Sequence, residues 1–201
     1  MTFFKPKFAR GSFTVHWTQD PIGDFGIWAQ GYTLAGKRLA QSLLAEPSFP
    51  EYEAYSVFFL YRHALELYLK AVVTRGGELI QLRDQDAVLD KLRLDHKLPP
   101  LAQTAASVLQ AAFPDDESIE GLCNTLDEVV RDIDSVDPDS FVFRYPINKQ
   151  LDRPTEDTIG VNLIDLTATM DPLLENLDTA CFAIDTEVDV ARDVLRAYLD
   201  S

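Results

Sequence analysis

The sequence predicts an all-α fold, an up-and-down bundle of about five helices with an irregular N-terminal arm and a long C-terminal helix. The first observation is the segment Glu51–Arg75, which contains neither Gly nor Pro and is apolar around most of its helical circumference. The second is that apolar residues recur at three- to four-residue steps in the other long segments, as in amphipathic helices. A helix that is apolar on nearly all sides must be surrounded by others. We therefore predict a bundle built around a central helix, Glu51–Arg75.

The chain before the central helix is predicted to form an arm and one helix. Residues 1–21 place aromatic side chains between Lys, Pro and Gly without a helical period, which predicts an extended arm. Residues 22–201 are assigned to a single helical domain. Its first helix is predicted at Ile22–Ala45, with Asp20-Pro21 as its start signal and Pro47 near its end. We expect Gly31 and Gly36 to let the central helix approach closely, because glycine has no side chain.

The chain after the central helix is predicted to contain three more helices. Gly76-Gly77 is expected to break the chain, and a short helix or irregular linker should follow. Asp137–Pro154 is predicted to be non-helical, and Gly160–Ile164 to be a short strand or an extended segment. The three predicted helices are Leu98–Phe113, Ser118–Ser135 and Asp165–Asp200.

Charge and composition exclude several classes of function. The formal net charge is −15 and the pI is near 4.4. Such a protein repels phosphate backbones and anionic membranes, so binding of RNA or nucleotides is disfavoured. No run of about 18 apolar residues predicts a membrane span, and the N-terminus does not resemble a secretory signal. The two cysteines, Cys123 and Cys181, are expected to be buried thiols in a cytoplasmic protein.

A narrow polar stripe on the central helix supplies the candidate site residues. At about 100° per residue, the polar side chains of this helix fall within about 120° of arc. We weigh two interpretations of the stripe: a solvated or internally paired scaffold, and a polar pocket that faces other parts of the chain. The residues considered for the site are Arg62, His63, Glu66, His96 and Arg144.

Sequence motifs of the common enzyme classes are missing. The chain has no glycine-rich phosphate loop, no Cys/His metal spacing and no nucleophile elbow, and it contains only three histidines. We therefore predict no cofactor and no metal ion.

Three short segments nevertheless resemble bacterial members of the HEPN superfamily. They are Tyr61–Lys70 (YRHALELYLK), His96-Lys97-Leu98, and Asp137–Ser140 followed by Phe143–Pro146. The resemblance implies a small all-helical domain that is often dimeric. It also implies a metal-independent RNase in many relatives, frequently in toxin–antitoxin and anti-phage systems. The signature of those RNases is an Arg followed after about four to six residues by a His, which supply a phosphate-stabilising cation and a general acid or base.

This sequence departs from the catalytic signature of the superfamily. The only Arg-to-His pair with the required spacing, Arg10 and His16, lies in the predicted arm. Arg62 and His63 are adjacent, so their side chains diverge by about 100° on a helix. The first hypothesis is therefore a non-catalytic HEPN-like protein that acts through protein–protein contacts, as a homodimer and with a partner from the same prokaryotic defence or regulatory locus. The alternatives are a metal-independent endoribonuclease with a rearranged Arg/His site, and a nucleotide or small-anion binding module.

Overall fold

The computed structural model describes residues 10–14, 23–84, 96–146, 152 and 158–200. Within these ranges the chain forms helices and connecting segments but no strand, so the predicted all-α bundle with a long C-terminal helix is confirmed. The predicted arm, residues 1–21, lies outside the described residues apart from 10–14. The helices are α1 (Asp24–Leu44), α2 (Glu51–Ala71), α3 (Gly77–Arg83), α4 (Leu98–Ala112), α5 (Glu117–Val136) and α6 (Leu163–Leu199).

Helix α2 is the centre of the bundle, as its apolar circumference predicts. It packs against α1, α4 and α6. From Tyr61 to Val73 every residue except His63 is buried. Each large apolar side chain removed from water in this way contributes about 1.5–3 kcal/mol to folding.

Hydrogen bonds and an ion pair fix the register between α2 and α6. The hydroxyl groups of Tyr61 and Tyr68 donate to Asp171 and Asp178, at 2.7 and 2.9 Å. Seven residues further along both chains, in the π-helical segment Val72–Gly76 that follows α2, Arg75 Nε donates to Asp185 at 2.8 Å. From one contact to the next, the donor and the acceptor each lie seven residues further along the chain, which is about two helical turns. Helices α2 and α6 therefore run parallel, and a polar ladder borders their apolar contact.

The expectation that Gly76-Gly77 breaks the chain is wrong. A π-helical segment, Val72–Gly76, joins α2 to α3 directly. The hydroxyl of Thr74 donates to the carbonyl groups of Lys70 and Ala71, at 2.8 and 3.2 Å, and satisfies acceptors at this turn. A Cβ atom at Gly76 would overlap Cγ1 of Val108 in α4. Glycine is thus required here for close helix packing and not for a turn.

The two glycines singled out in α1 behave differently. A Cβ atom at Gly36 would lie 3.3 Å from a ring carbon of Tyr61, so the predicted close approach of the central helix is confirmed there. At Gly31 no described atom comes within 4 Å of that position, so the same prediction is wrong for Gly31.

Of the two alternatives predicted for Gly160–Ile164, a short strand and an extended segment, the strand is wrong: the chain has no regular structure up to Asn162, whose backbone is extended, and a helix starts at Leu163. The side-chain oxygen of Asn162 accepts hydrogen bonds from the backbone amides of Ile164 and Asp165, at 2.9 and 3.3 Å. This cap begins α6 at Leu163 because it satisfies amides that no helical carbonyl can reach. The helix then continues through Pro172. Among the described residues, no helix is both long and apolar enough to cross a membrane.

Candidate functional site: a buried charge cluster on α2

Three charged residues at four-residue intervals line one face of α2. This spacing stacks Arg62, Glu66 and Lys70 one turn apart. Glu66 joins the other two, with one oxygen 2.7 Å from Lys70 Nζ and the other 3.5 Å from Arg62 Nη1. The three residues are only 2%, 5% and 7% exposed. The stripe predicted from the sequence is therefore a row of buried ion pairs.

Asp137 closes this row from the segment after α5. Its Oδ2 lies 3.3 Å from Nε of Arg62. Its Oδ1 accepts hydrogen bonds from the amides of Phe141 and Val142, at 2.7 and 3.0 Å. The pairing of Asp137 with Arg62 does not follow from the sequence pattern. The only signal for it was that Asp137 opens the third segment of the HEPN resemblance. We call Arg62, Glu66, Lys70 and Asp137 the charge cluster.

His96 joins the edge of the charge cluster. Its Nδ1 lies 2.9 Å from the Glu66 oxygen that also binds Lys70, and 3.4 Å from Lys70 Nζ. The side chain of His96 is 85% exposed, unlike every member of the cluster. The structure thus brings together three of the five predicted candidates, Arg62, Glu66 and His96.

The other two candidates lie outside the charge cluster. His63 packs its ring edge-on against Tyr32, with centroids 4.5 Å apart, and stacks on Phe59 at 5.7 Å. Arg144 is exposed and lies over the rings of Phe59 and Tyr145, at 5.4 and 5.2 Å. Asp137, which lies seven residues before Arg144, pairs with Arg62.

Burial and pairing set the charges of the cluster. Burial raises the pKa of Glu66, whereas its hydrogen bonds with Lys70 and His96 lower it. The second effect is larger, so the pKa of Glu66 lies below its ordinary value. Burial raises the pKa of Asp137 despite its two amide donors and Arg62. Burial also lowers the pKa of Arg62, although a guanidinium stays protonated in proteins. Within the charge cluster two cations face two carboxylates, while Arg144 lies close enough to lower the pKa values of both Arg62 and Asp137 by its positive charge.

The charge cluster has little capacity to bind a ligand in this arrangement. Nε of Arg62 is buried and makes no hydrogen bond within the described part of the chain, because its contact with Asp137 is a charge pair of poor geometry. A phosphate would have to displace Asp137 or Glu66 to reach the guanidinium. No group of three His, Cys, Asp or Glu residues within the described ranges is placed to hold a metal ion. Cys123 and Cys181 are buried free thiols, as predicted.

Comparison with models of protein families, with curated proteins and with solved structures finds no match to this chain. The HEPN resemblance therefore remains a prediction from its three sequence segments.

Proposed function

We propose that this protein is a non-catalytic HEPN-like helical protein that acts through protein–protein contacts in a prokaryotic defence or regulatory system. The observation that carries the proposal is the closed charge cluster. Arg62, Glu66 and Lys70 are the residues that a catalytic stripe would need to expose, and each is at least nine-tenths buried and paired. These side chains could contact a substrate only if they left their partners, and breaking a buried ion pair costs about 3–5 kcal/mol.

The proposal includes a homodimer. With a net charge of −15, two copies attract each other only through surfaces that carry few acids. One such surface lies on α1, where Ile27, Trp28 and Leu34 are 50%, 41% and 45% exposed. A shallow depression of about 320 Å³ beside them contains no charged residue. It is lined by Ile27, Trp28, Gly31, Tyr32, Ala35 and Leu60. We call this the α1 surface.

A ribonuclease assay tests the non-catalytic proposal. Purified protein is incubated with a panel of structured and single-stranded RNAs, with and without divalent metal ions, beside the variants His96→Ala and Lys97→Ala. We expect no cleavage above background in any sample. Cleavage that is lost in His96→Ala but kept in Lys97→Ala would overturn the proposal, because a contaminating nuclease would not respond to either change.

A metal-independent RNase is the second candidate, and one observation favours it. Glu66 holds His96 through Nδ1 at 2.9 Å, while the imidazole remains largely exposed. A carboxylate that orients an accessible imidazole is a common arrangement for a general base. The same assay with His96→Ala therefore decides between the two candidates.

A further inference from the structure

A groove separates α5 from α6. Two hollows lie along it, of about 440 and 400 Å³. The first is lined by the early part of α5 (118–125) and by α6 at 176–183. The second is lined by the end of α5 (129–136) and by the start of α6. The two helices therefore run antiparallel and stay apart along most of α5.

The floor of the α5/α6 groove is apolar. Small residues such as Gly121 and Thr179 line the first hollow, and the Cβ position at Gly121 is surrounded by open space. The floor is formed by Ile119 and Leu122, which are 7% and 8% exposed. A site of this volume with a mainly apolar lining is typical of surfaces that take up a ligand or a partner side chain. The apolar residues that line it include Ile119, Leu122, Val129, Ile133, Leu166 and Met170.

The charges of the groove have one sign. Asp116 lines the first hollow, and Asp132 and Asp165 line the second, whereas no Lys, Arg or His lines either. The outer face of α5 adds further exposed acids, and its one arginine, Arg131, is paired with Asp127 at 2.6 Å. A surface with carboxylates around an apolar floor favours a partner that is both apolar and basic.

The apolar face of α6 continues beyond the groove. Ala183 lines the first hollow, and Val190 and Val194 follow it by seven and eleven residues, which places all three on one face of the helix. Val190 and Val194 are 54% and 65% exposed. From Ala183 to Val194 this face extends for about 16 Å at 1.5 Å per residue. A partner that occupies the groove would therefore also cover these two valines.

We infer that the α5/α6 groove binds a basic amphipathic helix of a partner protein. This inference rests on the proposed function and names the chemistry of the partner. A helix lays one apolar face into such a groove at positions i, i+3, i+4 and i+7, while its flanking Lys or Arg side chains reach the carboxylates on the rims. A second copy of this chain fits less well, because it would add its own charge of −15 to an acidic surface.

The test uses a fluorescent synthetic helix of about 18 Leu and Lys residues with a 3.6-residue period, and a matched helix in which Glu replaces Lys. Fluorescence anisotropy measures binding to the wild-type protein and to three variants. Asp132→Lys/Asp165→Lys reverses the charge of the second hollow. Glu46→Lys/Glu51→Lys makes the same change in net charge at exposed acids that line neither hollow. Ala183→Trp fills the first hollow without changing the charge.

We expect the Leu/Lys helix to bind, and its dissociation constant to rise at least about 10-fold, or about 1.4 kcal/mol, in the Asp132→Lys/Asp165→Lys and Ala183→Trp variants. The control pair should change it less than about 2-fold. The inference is overturned if the Leu/Lys helix does not bind, if both charge-reversal variants weaken it equally, or if the Leu/Glu helix binds as tightly. Sedimentation of the protein without peptide measures whether the chain self-associates. Self-association that is abolished in Ala183→Trp would show that a second copy occupies the groove and would also overturn the inference. Each of these results leaves the ribonuclease assay unchanged, so the inference can fail while the non-catalytic function stands.

Discussion

Asp137 connects the end of α5 to the central helix, because one carboxylate serves both Arg62 and two loop amides. The substitution Asp137→Asn removes the charge while it keeps an oxygen for the amides. Arg62 would then be buried with Glu66 as its only acidic partner. Removal of one member of a buried pair costs about 3–5 kcal/mol, and urea denaturation should show a loss of this size in the free energy of unfolding.

Asp139→Asn is the matched control for this substitution. Asp139 lies in the same turn but is exposed, so its substitution should change the free energy of unfolding by no more than about 0.5 kcal/mol. Equal effects of the two substitutions would show that the pairing of Asp137 with Arg62 does not stabilise the fold.

His63 should make the stability of the protein depend on pH. Burial among Tyr32 and Phe59 lowers the pKa of its imidazole below the ordinary value near 6.5. The folded state therefore binds fewer protons than the unfolded state in the window just below pH 6.5, and stability falls as the pH falls through it. In His63→Phe this contribution is absent, so the variant should lose less stability than the wild type between about pH 7.5 and 5.5. Urea denaturation at both pH values measures the difference, and equal losses would contradict the assignment.

At the residue scale the sequence predicts spacing well and partners poorly. The intervals between Arg62, Glu66 and Lys70 follow from helical periodicity, and the structure has them on one face. Asp137 could not be identified as the partner of Arg62, because that contact depends on how α5 packs and where it ends. The stacking of Arg144 on aromatic rings could not be predicted either, because such a contact leaves no periodic pattern in the sequence.

At the scale of helices, the contact between the π-helical segment and α4 predicts how substitutions at Gly76 and Val108 change the stability of the protein. Gly76→Ala would place a Cβ atom against Val108, and overpacking of this kind costs about 1–3 kcal/mol. The double variant Gly76→Ala/Val108→Ala should lose less stability than the sum of the two single variants, because the smaller side chain makes room. Thermal and urea denaturation of the four proteins measure this coupling.

Gly31→Ala provides the control for Gly76→Ala. It lies within α1 with open space around it, so alanine should stabilise the protein by up to about 1 kcal/mol. Destabilisation by Gly31→Ala, or additive effects at Gly76 and Val108, would contradict this account of the two glycines.

Helix positions were largely predictable because apolar periodicity and caps are local signals. The predicted and observed ends of α4, α5 and α6 differ by at most two residues. The continuous run through Gly76-Gly77 was not predictable in this way. Two adjacent glycines usually end a helix, and the close packing of Gly76 against Val108, which explains why a residue without a side chain stands there, has no local signal in the sequence.

At the scale of the whole molecule, the net charge of −15 makes two copies repel each other, which opposes formation of the homodimer. If the homodimer forms through the α1 surface, the Ile27→Glu variant should be monomeric at the same concentration. The reason is that dimerisation would bury the introduced charge in an apolar contact. Ile164→Glu, an exposed position in the first turn of α6, should leave the dimer intact. Raising the ionic strength from about 0.01 to about 1 M shortens the Debye length from about 30 to about 3 Å and should strengthen the wild-type dimer. Sedimentation equilibrium measures all three effects, and a strictly monomeric wild type would contradict the homodimer.

The ladder between α2 and α6 also bears on the order in which the molecule folds. Each of its three contacts joins residues 110 positions apart. During synthesis at about 5–20 residues per second, the side chains of Tyr61 and Tyr68 emerge many seconds before the aspartates that receive them. During that interval the apolar side of α2 that α6 later covers stays exposed, while α1 and α4 can already pack against the other sides of α2. Contacts of such long range slow folding, so the growing chain exposes an apolar surface of α2 until α6 has been synthesised.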